Sequence, residues 1–216
     1  ELPPITNYGS GEYKGGNQNW GITQSDKGYL YVANNEGLLE YNGEEWNMYA
    51  SPNGTILRCV LANNGNIYTG SYMDFGYWMR DVTGALEYHS IGESVYAEMI
   101  EDEHFWGIEA IGDWVLFQSL NRIYIYNTEK ETITHIDTTG LVNMFVIEDS
   151  IYFQDVNEGV YKITNGISKK FEPLSALTEN RIINIFGDDN ELLILTETNG
   201  FYTLKNNKIT KWIIPA

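Results

Sequence analysis

The sequence contains a single cysteine, Cys59. One thiol makes no internal disulfide and no cysteine-based metal site, so the fold must be held by burial and hydrogen bonding. In the expected strand Ile56–Leu61 it reads as a small buried hydrophobe. The three histidines, His89, His104 and His135, fall in different regions with no HxxxH or CxxC spacing. That excludes a recognisable zinc motif, and no metal or other cofactor is expected. Lys and Arg total 13 against 30 Asp and Glu, a formal charge of −17. Such a surface repels a nucleic-acid backbone and an anionic membrane face. It serves solubility, and as a binding property it favours neutral or cationic ligands. No run approaches the roughly 20 apolar residues of a membrane span, so membrane attachment is expected only through a segment outside this stretch. The sequence contains no secretory leader, and its start, Glu1-Leu2-Pro3-Pro4, suits a processed mature end as well as an arbitrary one. Helical periodicity is absent over any long window.

Aromatic residues are abundant, with 16 Tyr and 6 Trp, and the 21 Gly residues outnumber the 5 Pro as punctuation. Flat amphipathic side chains suit half-buried strands and sugar-binding surfaces alike. The stretch 17–50 shows how they are used. Strands are expected at Trp20–Gln24, Tyr29–Ala33, Leu38–Tyr41 and Trp46–Tyr49. Polar turns separate them, among them Asn42-Gly43, whose residues accept the positive φ of a tight hairpin. Residues 1–16 form a lead-in that is expected to pair on the edge of a later sheet.

The same order of strands and turns recurs. A second unit carries Ile56–Leu61, Ile67–Gly70, Phe75–Arg80 and Leu86–His89. The insert Gly92–His104 follows, with acidic residues at 93, 98, 101, 102 and 103. A third unit carries Trp106–Ile111, Trp114–Gln118, Ile123–Tyr126 and Thr132–Ile136. The fourth includes Ile151–Phe153 and Gly159–Ile163, the fifth Leu192–Leu195 and Gly200–Leu204. Gly37, Gly159 and Gly200 each open a third strand, at a period of about 41 residues, within the propeller range. The expected fold is therefore all-β: one β-propeller domain over 1–216, with about five four-stranded antiparallel blades at 17–55, 56–104, 105–140, 141–180 and 181–216. Five blades are compatible with a closed ring and with an arc of a larger one.

In a propeller, the loops joining second to third strands gather on one face. Here they contain Asn35, Glu36, Tyr72, Asp74, Asn121 and Asn157. Asn and carboxylates suit a hydroxyl-rich ligand such as an oligosaccharide, and Tyr72 offers a stacking face. The same residue types also make good turns. Trp20 and Trp106 occupy like positions in first strands, where either a channel-lining role or core packing is open, the latter favoured. No GxSxG and no phosphate loop is present, so no catalytic residue is assigned. Three classes remain: a ligand-binding sensor, a propeller-fold carbohydrate-active enzyme (glycosidase or lyase), and a scaffold for protein contacts.

Several phrases carry a resemblance: NQNWGITQ (17–24), YVANNEGLLEYNG (31–43), SPNGTILR (51–58), IYTGSYMDFGYW (67–78) and WVLFQSLNRIYIYN (114–127). Together they resemble the N-terminal sensor region of Bacteroidetes-type regulators built from two-component-regulator propeller repeats, including those with a triple-tyrosine domain and a helix-turn-helix output. The resemblance implies a non-catalytic, extracytoplasmic (periplasmic) sensor propeller that is part of a seven-bladed ring. It implies self-association of the whole ectodomain and a kinase or DNA-binding output elsewhere in the protein.

Overall fold

The computed structural model describes residues 4–156, 158–188 and 190–213. The chain forms two compact units, Glu1–Ile108 and Glu109–Ala216. The described residues build five four-stranded antiparallel sheets, each with its strands in sequence order.

In the first unit, β1 (Asn19–Gln24), β2 (Leu30–Asn34), β3 (Gly37–Tyr41) and β4 (Trp46–Ala50) form one sheet. The second is β5 (Cys59–Asn63), β6 (Asn66–Gly70), β7 (Phe75–Arg80) and β8 (Leu86–Ser90). In the second unit, β9 (Gly107–Ile111), β10 (Trp114–Gln118), β11 (Arg122–Asn127) and β12 (Thr132–Asp137) form a sheet. It is followed by β13 (Leu141–Ile147), β14 (Ser150–Asp155), β15 (Gly159–Thr164) and β16 (Ile167–Lys170), and then by β17 (Ile182–Gly187), β18 (Glu191–Thr196), β19 (Gly200–Lys205) and β20 (Lys208–Lys211).

Burial explains the sequence pattern. The two middle strands of the earlier sheets are buried along nearly their whole length, as in β2, β3, β10, β11 and β14. Their sequences, LYVA, LLEY, WVLF and IYFQ, are mostly apolar and do not alternate, because both faces of the strand are covered, and the polar Glu40 and Gln154 among them are buried too. The fourth strands β4, β16 and β20 are mostly exposed and carry the polar residues. Within each unit, cores form between successive sheets. In the first unit Tyr31, Ala33 and Leu38 pack against Leu57, Ile67, Trp78 and Leu86. In the second, Leu116, Ile123 and Ile125 meet Met144, Ile151, Phe153 and Ile163. Tyr152 and Val160 meet Ile182, Ile185 and Ile194.

Several local details differ from the sequence pattern or add to it. Among its described residues, the lead-in pairs on no later sheet. It holds a short helix α1 (Ser10–Tyr13), whose Tyr13 packs on Val32, Leu39 and Trp46 of the first sheet. Asn34 fixes it there: its amide nitrogen donates to the Gly16 carbonyl at 2.7 Å and its Oδ1 accepts from the Gly16 N–H at 2.9 Å. Asn42-Gly43 turns the chain, but within a four-residue loop. The Asn42 Oδ1 accepts the N–H groups of Glu44 and Glu45 at 2.8 Å each, so the side chain itself closes the turn. Tight two-residue hairpins occur at other places, among them Asn64-Gly65, with φ of +49° and +82°, and Asn165-Gly166, with φ of +50° and +72°. Finally, the acidic insert contains a 3-10 helix, Gly92–Glu98. Leu57 lies before β5, because its N–H donates to the Asn34 carbonyl of the neighbouring sheet.

Candidate functional site

Trp20, Arg58 and Trp106 stand at the same repeat position, as Trp20-Gly21-Ile22, Arg58-Cys59-Val60 and Trp106-Gly107-Ile108. Each begins or just precedes the first strand of its sheet. Repetition therefore brings the three side chains together. The indoles of Trp20 and Trp106 meet edge to face with centroids 6.2 Å apart. The Arg58 guanidinium carbon lies 4.9 Å from the Trp20 ring centre and 4.3 Å from that of Trp106. This is cation–π distance on both rings.

Trp20 is aimed by two devices. The β1–β2 register slips between Asn19 and Gly21, which leaves Trp20 as the bulged residue. A bulge unpairs one residue and re-aims its side chain. Its Nε1–H then donates to Asn35 Oδ1 at 2.8 Å. Trp20 stays 36% exposed and Trp106 41% exposed. The expected core packing of these two indoles is therefore not what the fold does with them. The bulge and the strand-start position place them at the surface on Arg58.

His104 joins the cluster. Its Nδ1 accepts from Arg58 Nε at 3.4 Å, and its ring lies 5.0 Å from Tyr72 and 6.0 Å from Trp106. The Tyr72 hydroxyl donates to Asp102 Oδ1 at 2.6 Å, and that bond pushes its pKa up. Tyr72 also borders an adjoining cleft of about 480 Å³, shared with Asn53, Thr55, Asp74, Ser90 and Tyr96. At its wall Asp74 accepts from the Ser90 hydroxyl at 2.6 Å and from Tyr88 at 3.0 Å. Burial holds the Asp74 carboxyl above the usual carboxylate range in spite of these donors.

Of the residues named from sequence, Trp20, Asn35, Tyr72 and Trp106 thus share one cluster, and Asp74 lines the cleft beside it. Glu36 is exposed next to Asn35, and its N–H donates to Asn34 Oδ1. Asn121 belongs to the second unit, exposed in the β10–β11 loop, with its carbonyl accepting from Thr138 N–H. Asn157 lies outside the described residues. Arg58 and His104 were not singled out from sequence as site residues, although the Trp-Gly-Ile, Arg-Cys-Val, Trp-Gly-Ile alignment carried the signal for Arg58.

Burial, followed by the Arg58 charge, pushes the His104 pKa below its ordinary 6.5, with Asp102 opposing. Because the folded chain binds this proton less readily than the unfolded one, stability falls as pH drops from 6.5 through the depressed value. NMR titration of the His104 ring should give a midpoint below 6.5, and Arg58→Gln should raise it. An unchanged midpoint in the variant would show that Arg58 and His104 are not in contact.

Cys59 is buried, which pushes its thiol up to about 12, so it is no nucleophile. Among the described residues no group of three His, Cys, Asp or Glu side chains gathers as a metal site requires. No helix of the described residues is long and apolar enough to cross a membrane.

No protein-family model matches the chain, and no curated protein matches it in sequence. Solved structures do match. The extracellular domain assigned to a hybrid two-component system of B. thetaiotaomicron superposes with a TM-score of 0.66 at 17% identity, over 95% of this chain and 31% of that one. The fold is that of a β-propeller. Virginiamycin B lyase of Staphylococcus aureus is similar at TM-score 0.64 and 18% identity, covering 92% of this chain and 70% of the lyase. PorZ, a surface component of the type-IX secretion system of Porphyromonas gingivalis, gives 0.63 and 15%, covering 94% and 35%. At these identities the likeness is one of fold. The chain spans less than a third of the two-component ectodomain it matches.

Proposed function

We propose that this chain is part of the extracytoplasmic, periplasmic sensor propeller of a membrane-bound signal-transduction and transcription regulator, and that it responds to a glycan fragment. The region itself is non-catalytic. A kinase or DNA-binding output belongs to other parts of the protein, and ligand-driven rearrangement of a self-associated ectodomain passes through a membrane helix. The observation that carries this reading is the surface cluster of Trp20, Trp106 and the half-buried Arg58 and Tyr72, beside a largely apolar cleft of about 480 Å³ with Asn53, Asp74 and Glu93 on its rim. Exposed indole faces bind the apolar faces of sugar rings, and the carboxylates and amides next to them suit hydroxyls. The fold likeness to a two-component ectodomain supports the assignment to sensing.

Isothermal titration against an oligosaccharide panel tests it. At least one glycan should bind, and Trp106→Ala should weaken that ligand roughly 10- to 100-fold, as expected for an aromatic anchor. Absence of heat with every glycan would remove the glycan reading.

A further inference from the structure

We infer that the ligand of the Trp20–Trp106 cluster carries a carboxylate, as a uronic-acid-type saccharide does, and that Arg58 is the group that selects it; this rests on the glycan reading above. The first unit holds four basic residues, Lys14, Lys27, Arg58 and Arg80. Arg80 is engaged by the buried carboxylate of Glu40. Arg58 has a different setting. It is half-buried, two indole rings cover it, and its Nε donates to a neutral nitrogen, His104 Nδ1. No carboxylate among the described residues lies within ion-pair distance of it.

This arrangement has a chemical consequence. The Nε bond and the two rings fix the plane of the guanidinium, and among the described residues no group accepts from its Nη1 or Nη2. A planar fork with two parallel N–H donors matches a carboxylate in two-point fashion. Preorganisation by the rings removes the entropy cost that a free arginine meets on binding, and partial burial strengthens the charge. A sugar ring whose carboxylate engages Arg58 would present its face to Trp20 or Trp106. The formal charge of −17 does not forbid this. Charges beyond a screening length of about 8 Å contribute little in physiological salt, so the local donors decide. Asp102 of the insert, whose charge reaches His104, accepts the Tyr72 hydroxyl.

The test compares three ligands on the 216-residue chain by titration calorimetry: oligogalacturonides, the same oligosaccharides reduced at the carboxyl to neutral galactose units, and sulfated galactose oligomers. The acidic oligosaccharide should bind, and carboxyl reduction should weaken it by roughly 10- to 100-fold, the range of one charged hydrogen-bonded pair. Arg58→Gln should abolish the preference for the acid, so that the acidic and the reduced oligosaccharides bind with the same weak affinity. Arg58→Lys, which keeps the charge without the fork, should restore part of it. Equal binding of acid and neutral forms by the wild type, or equal loss of both in Arg58→Gln, would overturn the role of Arg58 while the glycan reading survives. Tighter binding of the sulfated form would overturn the carboxylate assignment. A chain that binds none of these, or any other glycan, would lose both readings together.

Discussion

Arg80→Ala should destabilise the chain by about 3–5 kcal/mol, the loss seen when one partner of a buried ion pair is removed. Glu40→Ala should cost less, about 1–2 kcal/mol. The asymmetry comes from burial. Glu40 on β3 keeps only 3% of its side chain exposed, whereas Arg80 on β7 keeps 31%. Removing Arg80 takes the only cation from the Glu40 carboxylate among the described residues and leaves it the neutral Tyr31 hydroxyl and two long contacts, Tyr49 OH at 3.4 Å and Asn47 Nδ2 at 3.5 Å. Removing Glu40 leaves a guanidinium that still donates to the Gly84 carbonyl at 2.7 Å and to Tyr31 OH at 3.1 Å, and still rests over the Tyr29 ring. Replacing both partners with apolar residues of similar volume, Glu40→Leu with Arg80→Met, should recover most of the loss. Urea unfolding measures all three. The ion pair would be a surface ornament if the single variants were equal and both below about 1 kcal/mol. A spectroscopic check runs in parallel: burial and Glu40 push the Tyr31 hydroxyl up to about 12, and loss of Glu40 should bring it down.

The repeat was legible because its signals are local. Apolar runs bounded by Asn-Gly and Asn-Asn turns marked the middle strands within a residue or two, as Trp114–Gln118 for β10 and Phe75–Arg80 for β7 show. What escaped was set by contacts between sheets. Leu57 has the composition of a strand residue, yet its N–H goes to Asn34 of the preceding sheet and β5 starts two residues later. Asn42-Gly43 has the composition of a two-residue hairpin, but the Asn42 side chain captures two N–H groups and lengthens the loop. The site divided in the same way. Trp20 and Trp106 could be placed at equivalent positions from sequence. That they face outward depends on a bulge at Trp20 and on Arg58 from the intervening repeat, neither of which hydropathy reveals. A comparison of like positions in successive repeats, in place of a search within one motif, would have joined the three.

Gly37→Ala should be the more damaging of two matched substitutions. Gly37 and Gly200 open third strands at corresponding places in their repeats, and both have positive φ, +152° and +76°. The backbone conformation alone disfavours a side chain at each by about 1–2 kcal/mol. Their surroundings differ. A Cβ at Gly37 would lie 2.0 Å from the Tyr49 carbonyl oxygen and 2.8 Å from the Ser51 nitrogen, both backbone atoms of the adjoining strand and turn. A Cβ at Gly200 meets nothing within 4 Å. Gly200→Ala should therefore cost only the conformational 1–2 kcal/mol, while Gly37→Ala should cost about 4 kcal/mol or more, in the range reserved for backbone clashes and strain. Relief of the clash would move the loop that holds Asn35, the residue that accepts the Trp20 Nε1–H. Any folded Gly37→Ala protein should therefore also show a shifted Trp20 fluorescence and weaker glycan binding, neither of which Gly200→Ala should produce. Equal stability losses in urea would mean that the third-strand glycine is required for its φ alone, and that the close approach of β3 to Tyr49 has room to give.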